Sequence, residues 1–450
     1  MVGRLFTLLT YLFFASVALA QTGSPKTPTQ LNAEINSTFP DNSSGLITPF
    51  GTRQALLDIV ASGVVANVQG YGAKCNGVSD DSTSINAAIA ALPVLNGGRV
   101  YLPACANSYV INASAITLPN DHQPVIIEGD GWDSPLCDPF GDAQWVVSGN
   151  VRGTVIKVTG TTDGILFAAP NYNQNYIIRN LAIVGPGTGT SKGINFGTST
   201  ATYDQITNVL IANFSSGVYM QGSGNTVFRD LAVRGNTVGV NMASNGTNTT
   251  FYNVLAECNA TGILMSGMGT GTHIYSGLVQ GNTSVGINIA PSVVALASIS
   301  IDGLWMEANA KGIQVDTTNF GVSNLLISNH RDTGSNSIVF IGGNTVNFFK
   351  GINWQLSAAV TLPANMVNSG LYGVSSGTLT DNSNCSVLIN TTVSNKLFCT
   401  YTVVQLPMSA AQGAMAFVSN ATACTQNVAP VGGGSVFCGV VWNGSAWVAY

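Results

Sequence analysis

The sequence predicts an all-β protein wound as a right-handed parallel β-helix. Three observations carry that expectation: a Gly-led strand motif recurring at a nearly fixed interval, an almost uncharged composition, and Asn, Asp or Gly at regular places between strands. The motif runs Gly164-Ile-Leu-Phe167, Gly193-Ile-Asn-Phe196, Gly217-Val-Tyr-Met220, Gly239-Val-Asn-Met242, Gly262-Ile-Leu-Met265, Gly286-Ile-Asn-Ile289 and Gly312-Ile-Gln-Val315. From Gly217 onward the copies are 22, 23, 24 and 26 residues apart, a period that belongs to solenoids. Eight residues before each Gly stand Val209, Leu231, Val254, Leu278 and Leu304, preceded by Asn208, Asp230, Asn253, Gly277 and Gly303. Asn, Asp and Gly tolerate the left-handed backbone of a sharp corner. Ile206, Phe228, Phe251, Tyr275 and Ile301 mark the remaining strand of each coil. Stacked coils set these like residues above one another as interior apolar ladders. Ankyrin or leucine-rich solenoids would show longer helical runs or a Leu-x-x-Leu-x-Leu pattern, and neither occurs.

Composition agrees. Only 8% of the 450 residues are charged while 45% are hydrophobic, so the exposed positions fall to Asn, Thr, Ser and Gly, as in a strand- and turn-rich chain. A net charge of -5 and no basic stripe in the sequence exclude nucleic acid as an expected partner.

The elements follow in order. Residues 1–20 combine Arg4, an apolar run from Leu5 to Leu19 and an Ala18-Leu-Ala20 site, the layout of a secretory signal peptide. A membrane anchor is the competing reading, but the run is short and polar Gln21-Thr-Gly23 follows it. The mature protein is therefore expected outside the cell or in the periplasm, without membrane attachment. Residues 21–66 read as a linker with a short helical segment at Thr48–Val60. Asp80 to Leu92 predicts a helix with Ile85, Ala88, Ile89 and Leu92 on one face and Asp80 or Asp81 as N-cap. It is expected to plug the first coil, since open strand edges invite aggregation. The β-helix is assigned to 67–355 and a small C-terminal β domain to 356–450, where Asn443-Gly444 signals a hairpin. In an exported chain the eight cysteines favour disulfides. Cys385/Cys399 and Cys424/Cys438 suit local staples, Cys75 and Cys105 can pair, and Cys137 and Cys258 stay unassigned.

The segment Val68-Gln-Gly-Tyr-Gly-Ala-Lys-Cys-Asn-Gly-Val-Ser-Asp-Asp-Ser82, followed by Ile85-Asn-Ala-Ala-Ile89 and Gly97-Gly-Arg-Val-Tyr-Leu-Pro103, resembles the N-terminal signature of the pectate-lyase-like superfamily. That group takes in rhamnogalacturonase, glycoside hydrolase 28-related and pectate lyase 3-type proteins and phage tailspike depolymerases. With the coils behind it, the resemblance spans roughly Val68 to Trp354. It implies a single-stranded right-handed β-helix that binds or cleaves acidic polysaccharide. Cys75 departs from the family's usual glycine, which points to an added disulfide. The paired-Asp and Gly-His-Gly motifs of polygalacturonases are missing, so that mechanism is not expected. Fold alone does not establish activity.

Three residues beyond the inward aliphatic column lie Ala212, Arg234, Glu257, Gly281 and Glu307, an outward column by strand alternation. Glu257 and Glu307 are the expected catalytic carboxylates. At about 4.8 Å per strand they stand roughly 10 Å apart, near the separation of about 6.5–9.5 Å that inverting glycosidases use, with Gly281 leaving a notch between them. Arg234 is the third expected catalytic residue, holding a substrate carboxylate or, in a lyase, abstracting a proton. Trp305 is expected to stack on a sugar, and Tyr219 and Asn241 are further expected substrate contacts. The competing reading makes Arg234 and Glu257 an ordinary cross-coil ion pair. Calcium is the one cation considered, held by carboxylates. The loop from Glu128 to Trp145 gathers Asp130, Asp133, Asp138 and Asp142 with Trp132 and Trp145, but no residue is assigned as a metal ligand. His330-Arg331-Asp332 reads as a loop contact. The expected function is a secreted polysaccharide-degrading enzyme, hydrolase or lyase, acting on a uronate-containing pectin-like or bacterial glycan. The alternative is a non-catalytic glycan-binding or tailspike-like surface protein, in which case a homotrimer is the expected assembly.

Overall fold

The computed structural model describes residues 65–93, 97–119, 124–134, 151–167, 175–198, 202–222, 224–244, 246–267, 270–333, 338–373, 379–382, 386–389, 400–406, 412 and 415–450. The expected signal peptide, the linker and helical segment before Val65, and Cys137, Cys385 and Cys399 lie outside them. No helix of the described residues is long and apolar enough to cross a membrane.

Each coil turns through three faces. Strand Gln205–Ala212 is bent at Asn208 (φ 52°), whose left-handed backbone divides it into a first-face segment, 205–207, and a second-face segment, 209–212. Asn213 (φ 63°) then opens the turn to the third-face strand Ser216–Met220. An L-residue rarely adopts this region; Asn does so most readily because its short side chain bonds locally. Among the described residues, first- and second-face strands form a parallel sheet of 19 strands and third-face strands one of nine. Parallel strands buried on their inner side place like residues in register. Ile206, Phe228, Phe251, Ile274 and Ile301 form one inward ladder, and the Phe228 and Phe251 rings stack at 4.7 Å. Each such buried side chain contributes roughly 1.5–3 kcal/mol relative to exposure.

One coil departs from the sequence alignment. Three residues separate Asn282 from Gly286, where two separate Asn259 from Gly262 and Asn309 from Gly312. Counting back from Gly286 therefore lands one place late. Gly277, not Leu278, pairs with Val254 and Leu304, and Ile274, not Tyr275, continues the phenylalanine ladder. Ser276 (φ 61°) takes the corner. Leu278 and Tyr275 consequently face outward.

A second ladder escaped the sequence reading. Asn236, Asn259, Asn282 and Asn309 are buried at the turn between the second and third faces. The Asn259 Oδ1 accepts from Asn236 N and Nδ2, each at 3.0 Å, and Asn282 Oδ1 accepts from Asn259 N and Nδ2, each at 3.1 Å. The Nδ2 of Asn259 also donates to the Val233 carbonyl at 3.0 Å. Turn groups that would otherwise be buried and unmet are thereby satisfied from coil to coil.

The ends match expectation in kind. Helix α1 (Ser82–Ala90) buries Ile85, Ala88 and Ile89 against the first coil. Asp81 stands at its N-cap, yet its carboxylate accepts from Lys74 N and Cys75 N rather than capping the helix. Disulfides join Cys75 to Cys105 and Cys424 to Cys438. Cys258 is also disulfide-bonded, to a cysteine outside the described residues. Parallel pairing runs through Lys350–Ile352, Ser369–Tyr372 and Ser386–Ile389. The different architecture begins at Thr400, with a four-stranded sheet whose last hairpin turns at Asn443-Gly444 between paired Trp442 and Trp447.

Candidate functional site

The second face divides into a closed part and an open part. Ala212, Arg234, Glu257, Gln280 and Glu307 are in register, so Gln280 occupies the place expected for Gly281 and fills the notch. Arg234 and Glu257 point away from the helix axis but are buried, at 1% and 0% exposure. Arg234 Nε lies 2.5 Å from Glu257 Oε2, and Gln280 Nε2 donates to Glu257 Oε1 at 2.7 Å. Both carboxylate oxygens are thus committed. The cover is a hairpin of Trp132–Asp133 against Arg152–Gly153. Trp132 donates from Nε1 to the Asn208 carbonyl at 2.9 Å, packs with Leu210, Ala232 and Leu255, and sets its ring 6.0 Å from the Arg234 guanidinium. The expectation of a solvent-facing Arg234 and Glu257 is corrected: both are buried, and the strand pair that carries Trp132 packs over Arg234. Its sequence showed an interruption of the coils but not where it would pack.

Beyond the hairpin the face opens. Trp305 is 45% exposed, and the Arg331 guanidinium stacks over its ring at 4.6 Å. Glu307 is half-buried two residues along. The reading of 330–332 as a loop contact is also corrected. His330 and Asp332 pair in register beside Trp354 and Leu356 and are buried in the interior, while only Arg331 between them faces out. Burial pushes the His330 imidazole down to about 4.

The third face carries a polar column: Asn195, Tyr219, Asn241, then Leu264, Asn288 and Gln314. Tyr219 and Asn241 are therefore neighbours, but on a different sheet from Arg234, Glu257 and Trp305. Lys192 Nζ lies 4.6 Å over the Tyr219 ring. Asp163 pins this end of the column, accepting from Lys192 N at 2.8 Å and from Asn195 Nδ2 at 2.6 Å. Asn241 donates to Ser216 Oγ at 3.4 Å, while its Oδ1 is buried with no partner among the described residues. Lys192 was missed by sequence reasoning. Its signal was modest: a cation immediately before a Gly-led motif, in a chain with only 15 Lys and Arg.

Among the described residues no group of three or more His, Cys, Asp or Glu side chains converges as a cation site. Asp130 of the acidic loop is committed to the scaffold, accepting from Tyr101 Oη at 2.6 Å and Ala104 N at 2.7 Å. That bond pushes the Tyr101 phenol up to about 12. Asp138, Asp142 and Trp145 lie outside the described residues.

The family pattern "Rhamnogalacturonase A/epimerase, pectate lyase-like" matches residues 65–288. The chain belongs to the pectate-lyase-like superfamily of right-handed β-helices. A curated relative, the mannuronan C5-epimerase AlgE4 of Azotobacter vinelandii, is 33% identical over 130 residues, covering 28% of this chain. The match spans about a fifth of that relative's length, 20%. Among solved structures, the AlgE4 A-module of Azotobacter vinelandii superposes with a TM-score of 0.46 at 20% identity, covering 72% of this chain and 94% of that one. The surface adhesin PfbA of Streptococcus pneumoniae superposes with a TM-score of 0.45 at 10% identity, covering 86% of this chain and 98% of that one. The chemistry of this pectate-lyase-like helix is argued from its own faces.

Proposed function

We propose that this protein is an exported polysaccharide-active β-helix whose substrate is a uronate-bearing glycan lying across the third face. The observation that carries the reading is the Lys192–Tyr219 pair in line with Asn195 and Asn241. A lysine ammonium can neutralise a uronate carboxylate and so acidify the adjacent carbon, and a tyrosine hydroxyl beside it can take or return the proton. The relative is a mannuronan C5-epimerase, an activity consistent with proton chemistry at a uronate. A two-carboxylate hydrolysis at Glu257 and Glu307 is disfavoured, because Glu257 is saturated by Arg234 and Gln280 and Gln280 stands between the two. Trp305 with Arg331 supplies a sugar-stacking contact on the neighbouring face.

Lys192→Ala and Tyr219→Phe test this on polygalacturonate and alginate. Each is expected to lower product formation by about 10²–10⁴-fold, the usual worth of a positioned proton-transfer group. Product appearing as ultraviolet-absorbing unsaturated uronate identifies elimination, and changed sugar stereochemistry without chain scission identifies epimerisation. Wild-type turnover in both variants would remove the third face from the mechanism. A second reading, a non-catalytic glycan-binding surface protein, is favoured by the lack of an open carboxylate pair at Glu257 and Glu307. Glycan binding by the wild type without any product would select it.

A further inference from the structure

The first face carries a cationic and aromatic stripe that the reading above does not use. Arg99, Arg179 and Arg229 stand on strands Gly98–Leu102, Ile177–Val184 and Val227–Arg234 of one parallel sheet. Among the described residues Glu128 is the only carboxylate ion-paired with any of the three, bonding Arg99 and Arg179 at 3.0 Å each. Counting Asp302 at its far end, three cations over two anions still leave the stripe positive, on a chain whose net charge is -5. Arg179 Nε is buried and has no partner among the described residues. Arg229 is exposed and in no ion pair among the described residues; its guanidinium rests 4.7 Å over the Tyr252 ring.

From Arg229 the stripe continues as aromatic side chains. Thr207, Arg229, Tyr252, Tyr275 and Asp302 are in register along the outward side. Tyr252 and Tyr275 stack at 5.4 Å, and the His273 ring lies parallel to Tyr275 at 5.9 Å. The one-residue shift of that coil creates this row, since it turns Tyr275 outward beside Tyr252. At the far end the Asp302 carboxylate accepts from Ser328 Oγ at 2.6 Å and Asn329 Nδ2 at 2.8 Å, three strands beyond Arg229. Arg179 and Arg229 are two strands apart, about 10 Å at the strand spacing of a sheet.

We infer that this stripe is a second glycan-binding surface, which holds an anionic stretch of polysaccharide along the helix axis away from the reacting face. Charge complementarity decides the occupant. An anionic polymer with carboxylates recurring along its length meets Arg179 and Arg229 in turn, with guanidinium forks suited to carboxylates. The tyrosine and histidine row supplies edges and hydroxyls for the sugar rings between. A neutral glycan gains nothing from the arginines. The inference rests on the uronate reading of the substrate, and its effect is on retention of polymer rather than on turnover.

The experiment measures binding of long polygalacturonate, of a short oligogalacturonate and of neutral dextran to the full chain, for the wild type, Arg229→Gln, Arg229→Glu and Tyr252→Ala. Arg229 and Tyr252 are exposed, so unchanged melting is expected and serves as the folding control. Affinity for long polygalacturonate should fall about tenfold in Arg229→Gln, the loss of one charge-assisted contact, and further in Arg229→Glu. Binding should weaken steeply with salt, while turnover of the short oligomer should stay at wild-type level. Wild-type affinity for the long polymer in all three variants overturns the inference. Wild-type protein binding neither uronate polymer nor oligomer overturns the uronate reading itself, and loss of turnover on the short oligomer would place Arg229 in the reacting site instead.

Discussion

The closed and open parts of the second face are built from the same columns of the same sheet, yet they have opposite characters. In the closed part, Arg234, Glu257 and Gln280 lie in consecutive coils beneath or beside the Trp132 hairpin, with their polar atoms spent on one another. In the open part, Trp305, Glu307 and Arg331 meet solvent, and the arginine is held by a ring instead of a carboxylate. A charge in a β-helix column is thus structural or available according to what covers it, not according to its residue type. The third face belongs with the open part: Lys192 also rests on an aromatic ring.

The largest way to break this contrast is Glu257→Ala. Removing the carboxylate takes away the buried ion pair of Arg234, and losing one partner of a buried pair costs about 3–5 kcal/mol. Denaturant unfolding of the β-helix should show that loss. Replacing Arg234 and Glu257 together with apolar residues of similar size should restore much of it. Glu257→Ala with unchanged stability and abolished turnover would instead make Glu257 a reacting group, and the closed part would not be structural.

This distinction marks the limit of what was legible in the sequence. The coil period, the Asn and Asp corners, the α1 plug and the outward direction of Arg234, Glu257 and Glu307 all follow from local alternation and turn chemistry, which one strand's worth of residues encodes. Register across the coil at Gly277 did not follow, because a single extra residue among Thr283, Ser284 and Val285 moved every earlier position of that coil by one. The burial of Glu257 did not follow either. Its partner Arg234 lies under Trp132, more than a hundred residues away in the chain, and no periodicity reports where such a distant ring packs. The Asn236–Asn309 ladder was readable in principle, since each of those asparagines follows the outward column by two residues.

A smaller effect comes from titratable groups behind the two parts. Asp204, in the coil behind the covered part, is fully buried; it accepts from Tyr176 N at 2.9 Å, and burial pushes its carboxyl up to about 8. His330, behind Trp305 and Arg331, is pushed down to about 4. Between pH 4 and 6.5 the unfolded chain carries the extra proton at His330, so that contribution to stability is full above about 6.5 and is lost as pH falls toward 4. Asp204 acts oppositely. The folded chain holds the proton between about 3.8 and 8, so its contribution is full below 3.8 and is lost as pH rises toward 8. Each slope is about 1.4 kcal/mol per pH unit, and the two offset one another from pH 4 to 6.5. Asp204→Asn should therefore gain most over the wild type near pH 8, whereas His330→Leu should expose a steady decline from pH 4 upward. Parallel pH profiles for wild type and Asp204→Asn would show that Asp204 is ionised in the folded protein.

The smallest stability effect is expected at Trp305→Ala, and its smallness is what makes it informative. Substitutions at exposed positions without special contacts usually stay within about 0.5 kcal/mol, and Trp305 is 45% exposed with its ring engaged chiefly by Arg331. Melting should hardly move, while affinity for polygalacturonate should fall, because the stacking platform and the seat of the Arg331 guanidinium vanish together. Arg331→Ala should reproduce the affinity loss, and the double variant should add little, since the two side chains act as one unit. A destabilisation at Trp305→Ala as large as that at Glu257→Ala would mean that the open part is as structural as the closed one, and that the exposed aromatic–cation pair serves the coil stack rather than a ligand.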